Sequence, residues 1–409
     1  MHSPISLHRH GAVPSKHPTG RSFRRVCSLL SALSLAALFG AASANAQCPA
    51  PVFASGLRAP TKIIFSQKGN LLVAEQGTAV PNTGRVSIVD ARTGAVRPLI
   101  DGLPSALNLV GGNPAPSGPS GLAMRGRTLY ITIGSGNTTL PGPFPGVELP
   151  NPNVSSPLFS SVLKVHFSAH VEMSTSGFTL SAADQTQLKN GAEVALNNGR
   201  GDKISVKLLA NLPDYVPALV PGYVVSSNPF GIVVSGDELY VVDASLNQLV
   251  TVDRHSGEES ILTHFANVPN TLPFGPPTVQ AVPDSIHFFG DQLLVTYLTG
   301  FPFGPGAAQV RIIDATTGED EPFITGLTAA IDVRPVRSHA HGRDFLVLEF
   351  GGTGLSQPGK LLFFSSPDAT PTVVSACLIT PTSMALNKKT GALFVTEIGT
   401  GNVVRLVVP

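Results

Sequence analysis

The sequence predicts an all-β fold built from one repeated four-stranded unit. Six β-rich runs share a form that ends in a small or acidic residue: NLLVAEQG (70–77), RTLYITIG (127–134), ELYVVDAS (238–245), QLLVTYLTG (292–300), DFLVLEFGG (344–352) and ALFVTEIG (392–399). A run opened by a small or proline-containing turn precedes each one, as in APTKIIF (59–65). Third and fourth runs follow, as in GRVSIVD (84–90) and VRPLIDGL (96–103). Four strands per unit, six units and a period of about fifty residues predict a six-bladed β-propeller.

The composition agrees with many short strands joined by tight turns. The 409 residues include 41 glycines and 36 prolines and no tryptophan. Hydrophobic residues make up 42%, which is too much for a disordered chain. Charged residues are only 13% and the formal net charge is +1, without a basic cluster beyond the N-terminal segment. This charge distribution argues against a nucleic-acid partner.

Residues 1–46 have the layout of a secretory signal peptide. A basic head with Arg24 and Arg25 leads into the apolar run Val26–Ala42, and Ala44-Asn45-Ala46 resembles a cleavage site. We predict cleavage after Ala46 and a secreted or periplasmic protein in which residues 47–409 form a single propeller domain. No later stretch is long and apolar enough to span a bilayer, so no membrane span is expected after cleavage.

The second unit is longer than the others. SVLKVHFS (161–168) and ISVKLLANL (204–212) fit its third and fourth strands, so residues 168–204 are interpreted as an insertion within blade two. Ser181 is a suitable N-cap for a short helix over 182–189, with Asp184 near the helix N-terminus.

The last unit lacks its fourth strand, because the chain ends after GALFVTEIGTGNVVRLVVP (391–409). PVFASGL (51–57) matches fourth strands such as VVSACL (373–378), so we expect the N-terminal strand to complete the last blade and close the ring. Cys48 and Cys377 are available for a disulfide in an oxidising compartment. Cys48 precedes the closing strand and Cys377 ends a neighbouring parallel one, which would place them on opposite faces. The sequence therefore leaves this pairing open.

Three stretches resemble a known family. AVPDSIHFFGDQLLVTYLTGFPFGPGAAQVRIID (281–314), SNPFGIVV (227–234) and FLVLEFGGTGLSQPGKLL (345–362) are similar to exported propellers of the ScyD/ScyE type, named for their association with biosynthesis of the cyanobacterial sunscreen pigment scytonemin. The resemblance runs through roughly the whole of residues 47–409 and implies a six-bladed, NHL-like propeller outside the cytoplasm. It supplies no catalytic residue. A glutamate usually stands in that family where this chain has Tyr297.

Four acidic residues occupy equivalent positions at the ends of second strands, namely Glu75, Asp243, Glu349 and Glu397. Carboxylates that converge on a propeller axis can bind Ca²⁺ or another divalent ion. Such an ion could serve a lactonase-like hydrolase or a lyase by polarising a carbonyl or activating water. Alternatively, each acid accepts backbone N–H bonds within its own turn. Their repetition favours the second interpretation, because a structural role recurs in every blade.

The loops on the same face are rich in aromatic residues. The candidate ligand-binding residues are Phe144, Phe230, Phe274, Tyr297, Phe301 and Phe303, together with Asp284 and Asp332 at the entrances to the first strands of blades four and five. Either these loops form a binding surface for an apolar molecule, or they pack on one another. The two aspartates would break the symmetry of the repeat.

No strong catalytic motif is present. The sequence contains no G-x-S-x-G, H-E-x-x-H, P-loop or dinucleotide fingerprint. His339-Ala340-His341 near Asp344 has metal-ligand spacing but lies in a predicted solvated turn. We therefore predict an exported, non-catalytic propeller that binds a small apolar or aromatic ligand or a protein partner through its loop face. The alternative is a metal-dependent hydrolase or lyase built on the same fold.

Overall fold

Six antiparallel sheets follow one another along the chain in the computed structural model, which describes residues 47–111, 114–144, 146–337 and 343–408. We number them sheet 1 to sheet 6 and call the first strand of each its inner strand. The signal-peptide prediction (1–46) and the His339 and His341 pair lie outside the described residues. No helix in these ranges is long and apolar enough to cross a membrane.

Sheets 1 to 3 share a pattern of four antiparallel strands. Sheet 1 consists of Pro60–Phe65, Leu71–Glu75, Gly84–Val89 and Val96–Leu103; sheet 2 of Pro119–Arg125, Thr128–Ile133, Ser161–Phe167 and Lys203–Asn211; sheet 3 of Pro229–Ser235, Glu238–Asp243, Gln248–Asp253 and Glu259–His264.

Sheets 4 to 6 repeat the pattern, except that sheet 6 takes its outer strand from the beginning of the described chain. Sheet 4 consists of Pro283–Phe289, Gln292–Tyr297, Ala308–Asp314 and Asp320–Leu327; sheet 5 of Ala330–Arg337, Arg343–Glu349, Gly359–Phe364 and Thr372–Leu378; sheet 6 of Pro381–Leu386, Ala392–Glu397, Asn402–Val407 and Val52–Ala54.

The connection between the third and fourth strands of sheet 2 carries further elements. A 3₁₀ turn (Val171–Met173), a short strand parallel to the edge of sheet 1 (Phe178–Thr179), the helix α1 (Ala182–Lys189) and a fifth strand of sheet 2 (Val194–Asn197) follow one another. Ser181 caps α1, and its hydroxyl accepts a hydrogen bond from the Asp184 N–H at 3.1 Å, which confirms the predicted helix and its cap. The added strands cover two sheet edges that would otherwise expose unpaired backbone groups.

The connections between the strands of the six sheets contain short additional strands and one further 3₁₀ turn. They are Ala106–Asn108 with Ala115–Ser117; Thr139–Pro141, Glu148–Pro150, Tyr215–Pro217 and Val224–Ser226 in one small sheet; Val268–Pro269 with Thr278–Val279; and the turn Thr353–Leu355.

The inner strands contact one another in cyclic succession, from sheet 1 to sheet 6 and back to sheet 1. A hydroxyl at the second position of an inner strand donates to the carbonyl that begins the next one: Thr61 Oγ1 to Pro119 at 3.1 Å, Ser120 Oγ to Pro229 at 2.8 Å, and Thr382 Oγ1 to Pro60 at 2.9 Å. The last of these bonds joins sheet 6 to sheet 1. The threonine or serine that follows proline in the inner strands of sheets 1, 2 and 6 therefore links neighbouring sheets.

Two glycines show how closely the inner strands approach each other. A Cβ on Gly121 would lie 2.1 Å from the Phe230 carbonyl oxygen, and a Cβ on Gly231 would lie 2.4 Å from that of Asp284. Any larger residue at these positions would push adjacent inner strands apart.

Apolar side chains fill the interfaces between neighbouring sheets. Ile63 in sheet 1 belongs to a buried cluster with Phe394 and Val403 of sheet 6, and Val333 in sheet 5 belongs to one with Leu294 of sheet 4. Burial of apolar surface on both faces of every sheet is the main favourable contribution to folding.

The N-terminal strand completes sheet 6. Val52 lies opposite Val404 and Ala54 opposite Val403 in an antiparallel pair, which confirms the predicted pairing. Gln47 extends this closure in two directions. Its side chain exchanges hydrogen bonds with the backbone of Val407 at 2.6 and 3.0 Å, and its N–H donates to the Val374 carbonyl of sheet 5 at 2.8 Å.

A disulfide joins Cys48 to Cys377, with Cα atoms 5.9 Å apart and a sequence separation of 329. The sequence argument that placed these cysteines on opposite faces is wrong. Cys48 follows Gln47, whose backbone bonds to the outer strand of sheet 5, so the chain passes Cys377 before it enters sheet 6. The bridge therefore connects the outer strands of two neighbouring sheets.

Deletion of residues 47–56 should destabilise the protein more than loss of the disulfide alone. A Cys48→Ala/Cys377→Ala double variant keeps the closing strand, and we expect it to lose about 2–4 kcal/mol of unfolding free energy. The deletion also removes the strand and the Phe53–Phe394 contact, whose ring centroids are 4.8 Å apart. Urea unfolding of both variants and the intact protein measures the difference. A deletion variant as stable as the double cysteine variant would contradict this role of the strand.

Candidate functional site

The four repeated carboxylates each stabilise a turn in their own sheet. Glu349 accepts a hydrogen bond from the Thr328 N–H at 2.7 Å, and Glu397 accepts one from the Ile379 N–H at 2.7 Å. Asp243 accepts the Asn228 N–H at 2.9 Å, and Glu75 accepts the corresponding bond from Arg58. In each case the donor lies one or two residues ahead of the inner strand. This geometry supports the structural interpretation of the repeated acids.

Further partners occupy these carboxylates. Arg85 Nε donates to Glu75 at 2.8 Å, and Asp243 accepts the Ser227 hydroxyl at 2.6 Å and the Leu246 N–H at 3.0 Å. Burial raises the pKa of Asp243 despite these hydrogen bonds, and burial also raises that of Glu349.

The described ranges contain no group of three or more His, Cys, Asp or Glu side chains that could hold a metal ion. The structure therefore does not assemble Glu75, Asp243, Glu349 and Glu397 into the shared divalent-ion site that the sequence suggested, because each carboxylate is held in its own turn.

The predicted aromatic residues do not form one surface. Phe144, Phe274 and Phe301 are exposed, whereas Phe303 and Phe230 are half-buried. The loops around 274 and 301 touch each other, because a Cβ on Gly275 would lie 3.7 Å from Pro302.

Tyr297, the remaining aromatic candidate, is 2% exposed and packs against Phe265 with ring centroids 5.5 Å apart. It belongs to the core between sheets 3 and 4 and not to the loop surface.

The other two candidates, Asp284 and Asp332, lie near each other on the inner strands of sheets 4 and 5, beside three basic residues that the sequence analysis did not single out. We call Lys62, Asp284, His287, Asp332 and Arg334 the axial cluster. His287 Nε2 lies 2.6 Å from Asp332 Oδ1, and Lys62 Nζ lies 3.8 Å from the same oxygen. Arg334 Nε donates to the Met384 carbonyl at 3.1 Å.

Asp332 is the centre of this cluster. Besides its contact with His287, its carboxylate accepts hydrogen bonds from the Ser383 hydroxyl at 3.0 Å, the Met384 N–H at 2.9 Å and the Val333 N–H at 3.0 Å. A register shift between Ala330 and Asp332 marks a β-bulge in this inner strand, and each of the other inner strands has one near its start. The bulge places the Asp332 carboxylate beside the inner strand of sheet 6.

Burial and neighbouring charges shift the pKa values of the side chains in the cluster. Burial alone would raise the pKa of Asp332, but the charges of Lys62 and His287, the His287 hydrogen bond and the charge of Arg334 together hold it below its usual range. Burial, assisted by the charge of Arg334, lowers the pKa of His287 to about 3.

The remaining shifts are also dominated by desolvation. Burial lowers the pKa of Lys62 and of Arg334, in both cases against the opposing attraction of Asp332. Burial raises the pKa of Asp284 well above its ordinary value. Burial thus favours the neutral forms of His287 and Asp284, whereas the surrounding positive charges favour the ionised form of Asp332.

The axial cluster borders a cavity of about 440 Å³ to which all six inner strands contribute. One side is basic, with Lys62, His287, Arg334 and, just beyond the inner strand of sheet 6, Lys388. The side formed by sheets 2 and 3 is apolar, and its lining residues are Leu122, Ala123, Met124, Ile232, Val233 and Val234. Within the described part of the chain, no aspartate or glutamate lines this cavity.

The sequence carried a signal for this site. Lys62, His287 and Arg334 interrupt inner strands whose counterparts at the same positions are mainly small or apolar. A comparison of equivalent repeat positions would have singled them out, whereas a search for catalytic spacing does not.

Comparisons with known proteins do not assign the site. The sequence matches no protein-family model, and no curated protein matches it. Solved structures with a similar chain path include an auxiliary nutrient binding protein from Bacteroides thetaiotaomicron VPI-5482, with 10% identity, 86% of this chain and 69% of that chain covered and a TM-score of 0.46. Another is the PQQ-bound aldose sugar dehydrogenase from Streptomyces coelicolor, with 13% identity, coverages of 88% and 96% and a TM-score of 0.48. At this level of similarity neither relative indicates a function for this chain.

His287 should make the native state less stable as the pH falls. The unfolded chain takes up a proton on His287 below its ordinary pKa of about 6.5, whereas the buried side chain stays neutral down to a pH of about 3. Between these values stability should fall by up to about 1.4 kcal/mol per pH unit.

A His287→Gln variant tests this expectation, because its amide can donate to Asp332 but does not titrate. Urea unfolding at about pH 7 and about pH 5 should show a smaller loss of stability on acidification for the variant than for the original protein. Equal losses would show that His287 does not contribute to the pH dependence.

Proposed function

We propose that the chain is an exported six-bladed β-propeller that binds a small molecule in its central channel without transforming it. The observation that carries the proposal is the axial cavity, where all six inner strands meet and where a basic wall faces an apolar one. A pocket of this volume with a few convergent polar groups on an apolar background is typical of small-molecule sites.

Repeated local features support six blades. The residue that follows each second strand donates a backbone hydrogen bond to the residue just before the inner strand of the same sheet. These six bonds have lengths between 2.9 and 3.1 Å, as in Gln76 to Ala59 and Ile398 to Thr380. Equivalent geometry in every sheet, together with the cyclic contacts of the inner strands, is the arrangement that a propeller requires.

Export is supported by the disulfide and by the predicted signal peptide. Disulfides persist in oxidising compartments and are rare in the cytosol, so the Cys48–Cys377 bridge agrees with an extracytoplasmic location. The resemblance to the ScyD/ScyE type leads us to propose membership of that family.

Two side chains of the cluster are poorly matched to acid–base catalysis. A general acid or base works best with a pKa near the operating pH. The pKa of His287 is about 3 and that of Asp332 lies below its usual range, so neither is matched to proton transfer near neutrality. For the alternative, a metal-dependent hydrolase or lyase, the described ranges bring no three His, Cys, Asp or Glu side chains together.

The proposed site lies at the opposite channel end from the predicted loop face. The cavity is lined by the later residues of the inner strands, such as Phe65, Met124 and Phe288, whereas the aromatic loops lie where the inner strands begin. The exposed side chains of Phe274 and Phe301 on adjoining loops support a second, separate surface for a protein partner.

Binding of the neutral fluorophore N-phenyl-1-naphthylamine to the purified protein tests the channel proposal. We expect saturable fluorescence enhancement that is lost in Val233→Trp, because the larger side chain fills the cavity. Val373→Trp, on the outer strand of sheet 5, introduces the same substitution at an exposed position away from the cavity and should bind like the original protein.

Phe274→Ala/Phe301→Ala separates the two surfaces and should leave this binding unchanged. If the fluorophore does not bind, or if Val233→Trp binds it normally, the channel is not the binding site.

A further inference from the structure

Resting on the proposed function, we infer that the ligand of the axial cavity is a small organic anion with one acidic group and an apolar body. Its acidic group would lie against Lys62 and Arg334, and its apolar body would lie against sheets 2 and 3.

The Lys62 ammonium group borders the cavity and has no close acceptor in the described part of the chain. Its side chain is only 6% exposed, and the closest carboxylate oxygen, on Asp332, is 3.8 Å from the ammonium nitrogen, beyond hydrogen-bonding distance. Among the described residues the ammonium donates no hydrogen bond. An ammonium group that borders a cavity without a close acceptor is available to pair with an anionic ligand.

The Asp332 carboxylate has few acceptor positions left for Lys62 and Arg334. Its two oxygens already accept from His287, Ser383, Met384 and Val333. The charges of Lys62 and Arg334 therefore share one carboxylate that is largely occupied.

Asp284 is the other acidic group nearby, and it does not line the cavity. Burial raises the pKa of its carboxyl group, which favours the neutral form. Lys62, Arg334 and Lys388 therefore face a cavity that no carboxylate of the described residues lines.

The terminal nitrogens of Arg334 are suited to receive an acidic group. Its Nε is used by the Met384 carbonyl at 3.1 Å, and within the described chain no hydrogen bond involves its two terminal nitrogens. A guanidinium with free terminal nitrogens matches the geometry of a carboxylate.

The apolar wall formed by sheets 2 and 3 indicates that the rest of the ligand is apolar. Ala123, Met124, Val233 and Val234 present no hydrogen-bonding side chain to the cavity. A polar or multiply charged molecule would leave groups unsatisfied there, whereas an aliphatic or aromatic body would bury apolar surface. The exposed Lys388 at the rim adds positive charge that would attract an anion from solution.

Matched acid and amide pairs test the inference by displacement of N-phenyl-1-naphthylamine. Cinnamate is compared with cinnamamide, and octanoate with octanamide, because each pair differs in charge but hardly in shape. We expect each acid to displace the fluorophore at a concentration at least about tenfold lower than its amide, as a charge-assisted hydrogen bond implies. High ionic strength should weaken the acids selectively.

Variants locate the charge effect. Lys62→Met should reduce the preference for acids, because only Arg334 then remains beside the acidic group, whereas Lys62→Arg should retain most of it. Lys388 is exposed, so Lys388→Gln should fold normally. This variant should weaken binding of the acids by a few-fold and leave binding of the amides unchanged. This variant keeps the inference testable even if Lys62→Met is unstable.

The outcomes separate the two proposals. If the amides compete as well as the acids, or if neither acid displaces the bound fluorophore, the anion inference is wrong while the channel proposal stands. If the fluorophore itself fails to bind, the proposed function fails first.

Discussion

One buried carboxylate, that of Asp332, connects four of the six inner strands. It lies on sheet 5, contacts His287 of sheet 4 and Ser383 of sheet 6, and faces Lys62 of sheet 1. An unpaired charge at this depth would cost several kcal/mol, so the carboxylate is tolerated only because its donors are fixed around it. The same contacts position the basic groups beside the cavity. The arrangement of the axial site therefore depends on this residue.

In a repeat fold, a residue type that recurs at the same position of several sheets has a structural role, whereas a residue type found in one sheet points to a local role. The acids that end the second strands perform one task in four sheets, which is to accept N–H groups ahead of the inner strands. At the third position of the inner strand, by contrast, the residues differ widely: Lys62, Gly121, Gly231, Ser285, Asp332 and Ser383 stand there in sheets 1 to 6. The glycines allow close strand contact on one side, and the charged residues form the polar wall on the other. The asymmetry of the axial cavity comes from these differences between equivalent positions.

Contacts between the two ends of the described chain hold together the sheets that border the axial cavity. The pairing of Val52 with Val404, the hydrogen bonds of Gln47 and the Cys48–Cys377 bridge all join outer strands, whereas Thr382 and Pro60 join inner ones. Together these contacts fix sheet 6 between sheet 5 and sheet 1. Lys62 approaches Asp332 across this junction, so the geometry of the axial cluster depends on closure as well as on the strands themselves.

The sequence by itself determined the strands, the helix α1 and the pairing of Val52–Ala54 with sheet 6, because each depends on local periodicity, a local cap or a repeat with one strand missing. It also identified Asp284 and Asp332 as departures from the repeat. Only the tertiary structure decided that Cys48 meets Cys377 and that Lys62 lies beside Asp332. Such contacts depend on how the chain passes between sheets and on which side chains the closed succession of inner strands brings together. Spacing along the sequence carries no record of either distance.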